Sequence, residues 1–313
     1  MANYVIIPDT SCDLSRDLRE RFGISDYLRG VVYFPDGRTV SSDLDWGVIT
    51  PDEYYNSMDR RSPLYKTAAP PLGDTTAIFE KHLAAGNDVL SISLSSGLSS
   101  TYNDCVRIAK ELMEKYPERK VICVDSQRYS MALGLLVVSA CLKREEGATI
   151  EENAAYLNRE KHRIHQMGIM DDLFFLVKTG RVSNFKAFFG NLIGINLTAD
   201  FNNKGMSEVL GRFKGKRSAL EAVVRYMERT IVNPKEQTIF LVHSNRCAAV
   251  TALEEMIRER ICPKEIISGV VGMSCGASIG PGLCAAFYKG ESLSDDLVVE
   301  RGIMNQIAAD MKK

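Results

Sequence analysis

Short apolar runs alternate with stretches of helical period along the first half of the chain. Tyr4–Ile7 is β-prone, and Leu14, Leu18 and Phe22 behind it mark a short helical face. Val31–Phe34 is strand-like and ends in the turn Pro35-Asp36-Gly37. Thr50-Pro51-Asp52-Glu53 is a capping box with proline at the first helical position, opening a helix through Tyr54, Tyr55 and Met58. Lys66-Thr67-Ala68-Ala69-Pro70-Pro71 cannot continue a helix, and the next one runs from near Asp74 to Gly86. Val89–Leu94 is a further strand, followed by Cys105, Ile108, Ala109, Leu112 and Met113 at helical spacing. Val121–Val124 is another, ending in Asp125-Ser126, and Ser130–Glu146 is a helix closed by Gly147. Strand and helix in this order predict a parallel α/β sheet.

The rhythm changes after Thr149, which pairs with Glu152 in a second capping box for a helix through about Gln166. Phe174–Val177 reads as a strand. Ile195–Ala199 and Ser207–Leu210 flank Asn202-Asn203-Lys204-Gly205 and predict a β-hairpin. Ser218–Thr230 and Ala248–Arg260 are helical, and Thr238–Val242 and Glu265–Val271 are strands. Hairpins with helices to one side suggest a second, α+β domain, with the boundary near residue 157. Gly276-Ala277-Ser278-Ile279-Gly280-Pro281-Gly282 reads as a glycine-rich turn before the strand Leu283–Tyr288. Its glycines suit either a plain tight turn or a close backbone approach.

Composition adds constraints. The 313 residues are 45% apolar and 25% charged, ordinary values for a globular chain long enough to bury a core. A net charge of -1 supplies no global field for nucleic acid or an anionic membrane. Eight cysteines form no C-x-x-C pair and read as reduced thiols of a cytosolic protein. No cationic segment with an apolar core opens the chain. The longest apolar run, Met131–Leu142, is too short to span a bilayer and ends in Lys143-Arg144-Glu145-Glu146. The expectation is a soluble, cytoplasmic protein.

The stretch with the most chemistry is Ser95-Ser96-Gly97-Leu98-Ser99-Ser100-Thr101, five hydroxyls in seven positions between a strand and a helix. Hydroxyls and loop amides at a helix head make an anion site, whereas capping alone needs fewer of them. Thr10-Ser11, Ser95–Thr101 and Ser126 would all lie at the carboxyl ends of strands, where open α/β sheets bind ligands. No P-loop, no G-x-G-x-x-G after the first strand and no G-x-S-x-G is present. His162 and His165 read as a solvated helix face, and His243 as a structural hydrogen-bonding group rather than a base. Asp9 and Asp125 each end a strand, where turn and cap roles are commoner than acid/base work. Arg181 and Arg217, in two basic segments, read on their own as solvated surface. The residues alone describe a binder more than an enzyme.

Together the motifs resemble the DegV family of bacterial fatty-acid-binding proteins, from about Tyr4 to Gly290. Val5-Ile6-Ile7-Pro8-Asp9-Thr10-Ser11-Cys12-Asp13-Leu14 is similar to the family's opening strand and D-S-T-x-D-L turn. Lys66–Pro71 is similar to its T-S-Q-P-S segment, and Leu94–Tyr102 to L-S-S-x-L-S-G-T-Y, with Ser100 in place of glycine. Val124-Asp125-Ser126, Lys178-Thr179-Gly180-Arg181-Val182-Ser183 and Gly280-Pro281-Gly282 resemble its V-D-S, K-x-G-R-I-S and terminal H-T-G-P-G.

The resemblance implies a Rossmann-like parallel-sheet domain over residues 1–156 and a smaller α+β domain over 157–290. Residues 291–313 then form an extra amphipathic helix carrying Leu297, Met304, Ile307, Ala308 and Met311. It implies a carrier rather than an enzyme, with no metal or cofactor. One long-chain fatty acid would lie in an apolar tunnel between the domains. Its carboxylate would be held by Thr67, Ser95, Ser96, Gly97, Ser99 and Ser278, and presented to a fatty-acid kinase docking on Arg181 and Arg217. Two departures stand out: Ser278-Ile279 occupies the place of the family's His-Thr, and Asn196-Leu197 that of a Lys-Pro pair. The alternative is an enzyme for a small phosphorylated or carboxylated substrate, using Asp9, Asp125 and His243.

Overall fold

The computed structural model describes residues 4–171, 173–183 and 194–312. In chain order the elements are β1 (Tyr4–Pro8), α1 (Arg16–Arg21), β2 (Val31–Tyr33), β3 (Thr39–Ser41), α2 (Pro51–Asn56), β4 (Lys66–Ala68), α3 (Leu72–Ala84) and β5 (Asp88–Ser93). They continue with α4 (Thr101–Lys115), β6 (Val121–Asp125), α5 (Met131–Glu145), α6 (Ile150–Glu160), β7 (Ile164–Met170), α7 (Phe174–Thr179), β8 (Val182–Ser183), β9 (Ile195–Phe201) and β10 (Ser207–Lys214). The last are α8 (Lys216–Thr230), β11 (Thr238–His243), α9 (Cys247–Arg260), β12 (Glu265–Val270), α10 (Met273–Ile279), β13 (Leu283–Lys289) and α11 (Val298–Asp310).

The chain divides into two compact units, neither continuous in sequence. The first holds Met1–Thr50, Leu64–Lys161 and Gly272–Ala277, and the second holds Pro51–Pro63, His162–Val271 and Ser278–Lys313. The short excursion of Gly272–Ala277 has a visible cause: Ser274 Oγ lies 3.0 Å from Thr10 Oγ1 and donates to Ser42 Oγ at 2.8 Å.

In the first unit a parallel sheet runs in the order β1-β5-β6. Val89, Leu90 and Ile92 of its central strand are wholly buried, as expected where helices cover a parallel sheet. Phe79 and Leu83 of α3 and Cys105, Ile108, Ala109 and Leu112 of α4 join Ile7, Val89 and Val121 in one core cluster. The apolar run at Met131 is α5, buried from Met131 to Cys141, and Thr149 with Glu152 closes its capping box at α6. An antiparallel sheet, β3-β2-β4, carries Thr67 opposite Val32.

The second unit is built on a mixed sheet in the order β12-β11-β13-β7-β9-β10-β8. The predicted hairpin is β9 and β10, longer than the sequence suggested, turning at Gly205 with φ +73°. Helices α8 and α9 and residues Met304 and Ile307 of α11 share its core, so the last helix packs on this body.

Three sequence expectations fail. The helix from Thr149 stops at Glu160, and Ile164–Met170 is a strand inside the sheet, so His165 is buried rather than solvated. Its imidazole Nδ1 lies 2.7 Å from Asp200 Oδ2, Nε2 lies 2.9 Å from the Glu291 carbonyl, and its ring stacks on Tyr288. Phe174–Val177 is not a strand but the body of α7, which Gly180 ends in the left-handed conformation while Arg181 N–H returns to the Leu176 carbonyl. Finally, Gly276–Ile279 is helical, and only Gly280-Pro281-Gly282 turns. A Cβ on Gly280 would sit 2.2 Å from the Phe175 ring, so this glycine serves a close approach as well as a turn.

Candidate functional site

The turns after β1, β5 and β6 leave the same end of the parallel sheet, because the three strands share one direction. Their side chains brace one another. Asp9 accepts the Ser11 N–H on Oδ1 at 2.8 Å and the Leu94 N–H on Oδ2 at 2.7 Å, joining the first turn to the start of the serine loop. It is almost fully buried, and desolvation raises its pKa against the pull of these two amides. Asp125 accepts the Ser96 N–H at 3.1 Å and the Gln127 N–H at 3.0 Å on Oδ1, and the Ser96 hydroxyl at 2.5 Å on Oδ2.

Within the loop, Gly97 N–H donates to Ser95 Oγ at 3.1 Å, and the Leu98 and Ser99 amides donate to the Ser95 carbonyl at 3.0 and 3.2 Å. Thr101 N–H reaches Ser99 Oγ at 3.3 Å. The amides of Ser95 to Ser99 and of Thr101 are therefore already held, by the loop itself, by Asp125 or by the Arg128 carbonyl, and they do not form a nest for a phosphate.

Hydroxyl protons are what the loop has to offer. Ser96 directs its own to Asp125. Ser95 is buried and accepts from Gly97, and its proton has no acceptor among the described residues. Ser99 and Thr101 hydroxyls lie 2.9 Å apart and share one proton, which leaves one donor open. Thr67, half-buried on β4, makes no side-chain hydrogen bond among the described residues. Neutral donors of this kind suit a single carboxylate.

Asp13 escaped the sequence reading as a functional group. It takes a left-handed backbone, accepts the Ser130 hydroxyl at 2.5 Å, and burial beside the charge of Asp9 raises its carboxyl to about 7. Only its place in the opening motif signalled it.

The remaining predicted residues belong to the second unit. Ser278 is half-buried on α10 and Arg217 is exposed in the first turn of α8, neither with a side-chain partner among the described residues. Arg181 follows the C-cap of α7 and donates to the Thr179 carbonyl. Asn196, where the family has lysine, is buried and accepts from Arg246 Nη2 at 3.2 Å. His243 has the structural role expected of it: Nδ1 accepts the Arg246 N–H at 3.3 Å, and burial lowers its pKa. All eight cysteines are free. Among the described residues no cluster of three or more His, Cys, Asp or Glu side chains could hold a metal, and no helix is long and apolar enough to cross a membrane.

Known proteins align along nearly the whole chain. The family model described as "Uncharacterised protein, DegV family" matches residues 3–291. A DegV domain-containing protein of Clostridium perfringens is 30% identical over 292 residues, covering 93% of this chain and 99% of the relative. The solved structure on fatty acid binding of a DegV family protein from Thermus thermophilus superposes with a TM-score of 0.82 at 25% identity, covering 92% of this chain and 99% of that one. A DegV lipid-binding protein of Thermotoga maritima superposes with a TM-score of 0.79 at 25% identity, covering 93% and 99%.

Proposed function

The chain belongs to the DegV family, and on that premise we propose that it is a cytoplasmic carrier of one long-chain fatty acid, which it presents to a fatty-acid kinase. The observation that carries the reading is the combination of full-length similarity to two lipid-binding relatives with a loop whose open groups are hydroxyl donors. In this reading Thr67, Ser95 and Ser99 donate to the carboxylate. Ser96 and Gly97 hold the loop's shape, Ser278 stands where the family has histidine, and Arg181 and Arg217 serve the kinase.

The energetics divide the work. About 14 methylenes at about 0.8 kcal/mol each give on the order of 11 kcal/mol of gross burial. A hydrogen bond to a charged group adds about 1.5–3 kcal/mol. The alkyl chain sets affinity, and the hydroxyls set orientation while leaving the head group reachable. Asp9 and Asp125, the carboxylates an enzyme would use, already hold backbone amides. No observation favours catalysis.

The test is native mass spectrometry and solvent extraction of the purified protein. A co-purifying fatty acid is expected. Protein that is uniformly empty and takes up no labelled palmitate or oleate would refute the reading.

A further inference from the structure

We infer that β12 is an interaction surface for a second copy of this chain, and that the two β12 strands pair antiparallel about a two-fold axis at Ser268. β12 stands at one end of the second unit's sheet, and among the described residues only β11 pairs with it. The Glu265 N–H donates to the Gln237 carbonyl at 3.3 Å and the Val271 N–H to the His243 carbonyl at 3.0 Å. Residues of a parallel ladder alternate between their two sides, so Glu265, Ile267, Gly269 and Val271 serve β11. The N–H and C=O groups of Ile266, Ser268 and Val270 point the other way and meet no backbone partner among the described residues. A strand in that position is ordinarily guarded by proline, lysine, a bulge or a covering element. Ile266-Ile267-Ser268-Gly269-Val270 is uncharged, its register with β11 is unbroken, and each of its residues is half-buried or exposed. The opposite end of the sheet, by contrast, is the short β8.

The strand fits its own reverse. In the two-fold register Ile266 lies opposite Val270 of the second copy, Ser268 opposite Ser268, and Ile267 opposite Gly269. Gly269 has room for that neighbour, since a Cβ built there meets nothing within 4 Å. Each open N–H then meets an open C=O. Charge matches as well. Lys264, exposed at the start of β12, makes no salt bridge among the described residues. At the far end of the strand, α2 is fastened by the Tyr55 hydroxyl, which donates to the Val271 carbonyl at 2.6 Å. Asp52, exposed in the first turn of α2, lies within electrostatic range of His243, the residue beside Val270. Antiparallel pairing turns Lys264 of each copy toward the Asp52 end of the other. A second copy supplies the whole match twice, which an unrelated strand does not.

This surface is independent of the lipid reading. Sedimentation velocity of the full chain across the micromolar range should show a concentration-dependent dimer. Ser268→Pro removes an N–H that faces away from β11, so it costs no hydrogen bond within the chain, and Ser268→Lys sets like charges at the axis. Both variants should be monomeric at concentrations where the parent is dimeric. Cysteine cross-linking reads the register in a Cys247→Ser, Cys262→Ser background, which removes the two exposed thiols. With copper–phenanthroline, Ser268→Cys should give a covalent dimer, since directly paired residues lie about 5.5 Å apart. Glu265→Cys should not, since its two copies would stand about 20 Å apart along the strands. A parent that is monomeric throughout overturns the proposal, as does a dimer that survives both substitutions at Ser268. Cross-linking of Glu265→Cys in place of Ser268→Cys overturns the two-fold register.

Discussion

The Asp9 carboxylate holds the Leu94 amide at 2.7 Å, so the turn that ends the first strand fixes the start of the serine loop 85 residues later. Asp9 need not touch a ligand to govern its site. Asp9→Ala leaves two amides unpaired in a buried place and should cost about 1–3 kcal/mol for each. The Leu94 amide should exchange with deuterium faster, and fatty-acid affinity should fall. Unchanged exchange at Leu94 would show that the loop stands without this brace.

The hydroxyls of the loop are unequal despite their similar sequence. Thr67→Val and Ser95→Ala remove open donors and should each weaken fatty-acid binding roughly tenfold, the value of one hydrogen bond to a charged group. Ser96→Ala should change binding little, because that hydroxyl is turned to Asp125. Fluorescent fatty-acid displacement on the three variants measures the ranking, and an effect largest at Ser96 would contradict it.

Asp13 makes stability depend on pH. Its carboxyl is raised to about 7 by burial, against about 3.9 unfolded, so folding takes up a proton between these values. Stability associated with the neutral acid is present below about pH 4, falls as pH rises through 7, and is then constant. The span is at most about 4 kcal/mol. Asp13→Asn should flatten the dependence of the urea midpoint on pH between 4 and 7; a variant with the slope of the parent would assign it elsewhere.

Asp200 is the acceptor of a buried cluster: the Gln166 and Phe201 amides reach Oδ1 at 2.8 Å, and His165 and the Tyr226 hydroxyl reach Oδ2 at 2.7 and 3.1 Å. Burial and the charge of Asp200 push the Tyr226 and Tyr288 hydroxyls well above the usual phenol range. Asp200→Ala should cost about 3–5 kcal/mol, and Tyr226→Phe about 1 kcal/mol, in chemical denaturation. Similar losses for the two would mean that the carboxylate is not the centre of the cluster.

Arg181→Ala and Arg217→Ala should leave fatty-acid uptake unchanged and reduce phosphorylation of the bound acid by a fatty-acid kinase. Arg217 is exposed and has no side-chain partner among the described residues, so its loss should not disturb the fold. Full phosphorylation in both variants would remove these arginines from docking.

Much of this was legible in the chain. The apolar periods of Val89–Leu94 and Met131–Leu142, the Thr149 capping box and the Asn202–Gly205 hairpin follow from neighbours a few residues apart. Local geometry acts at that range, so the elements and the position of the serine loop were determined by the sequence itself. Phe174–Val177 and His165 were misread because a short apolar run suits helix and strand alike, and the sheet around β7 decided the matter. Which hydroxyls remain open could not be read at all. Ser95, Ser96 and Ser99 look alike in sequence, and they differ because β1 and β6 flank β5 and bring Asp9 and Asp125 against its loop. That pairing joins residues tens of positions apart, and only the tertiary structure sets it.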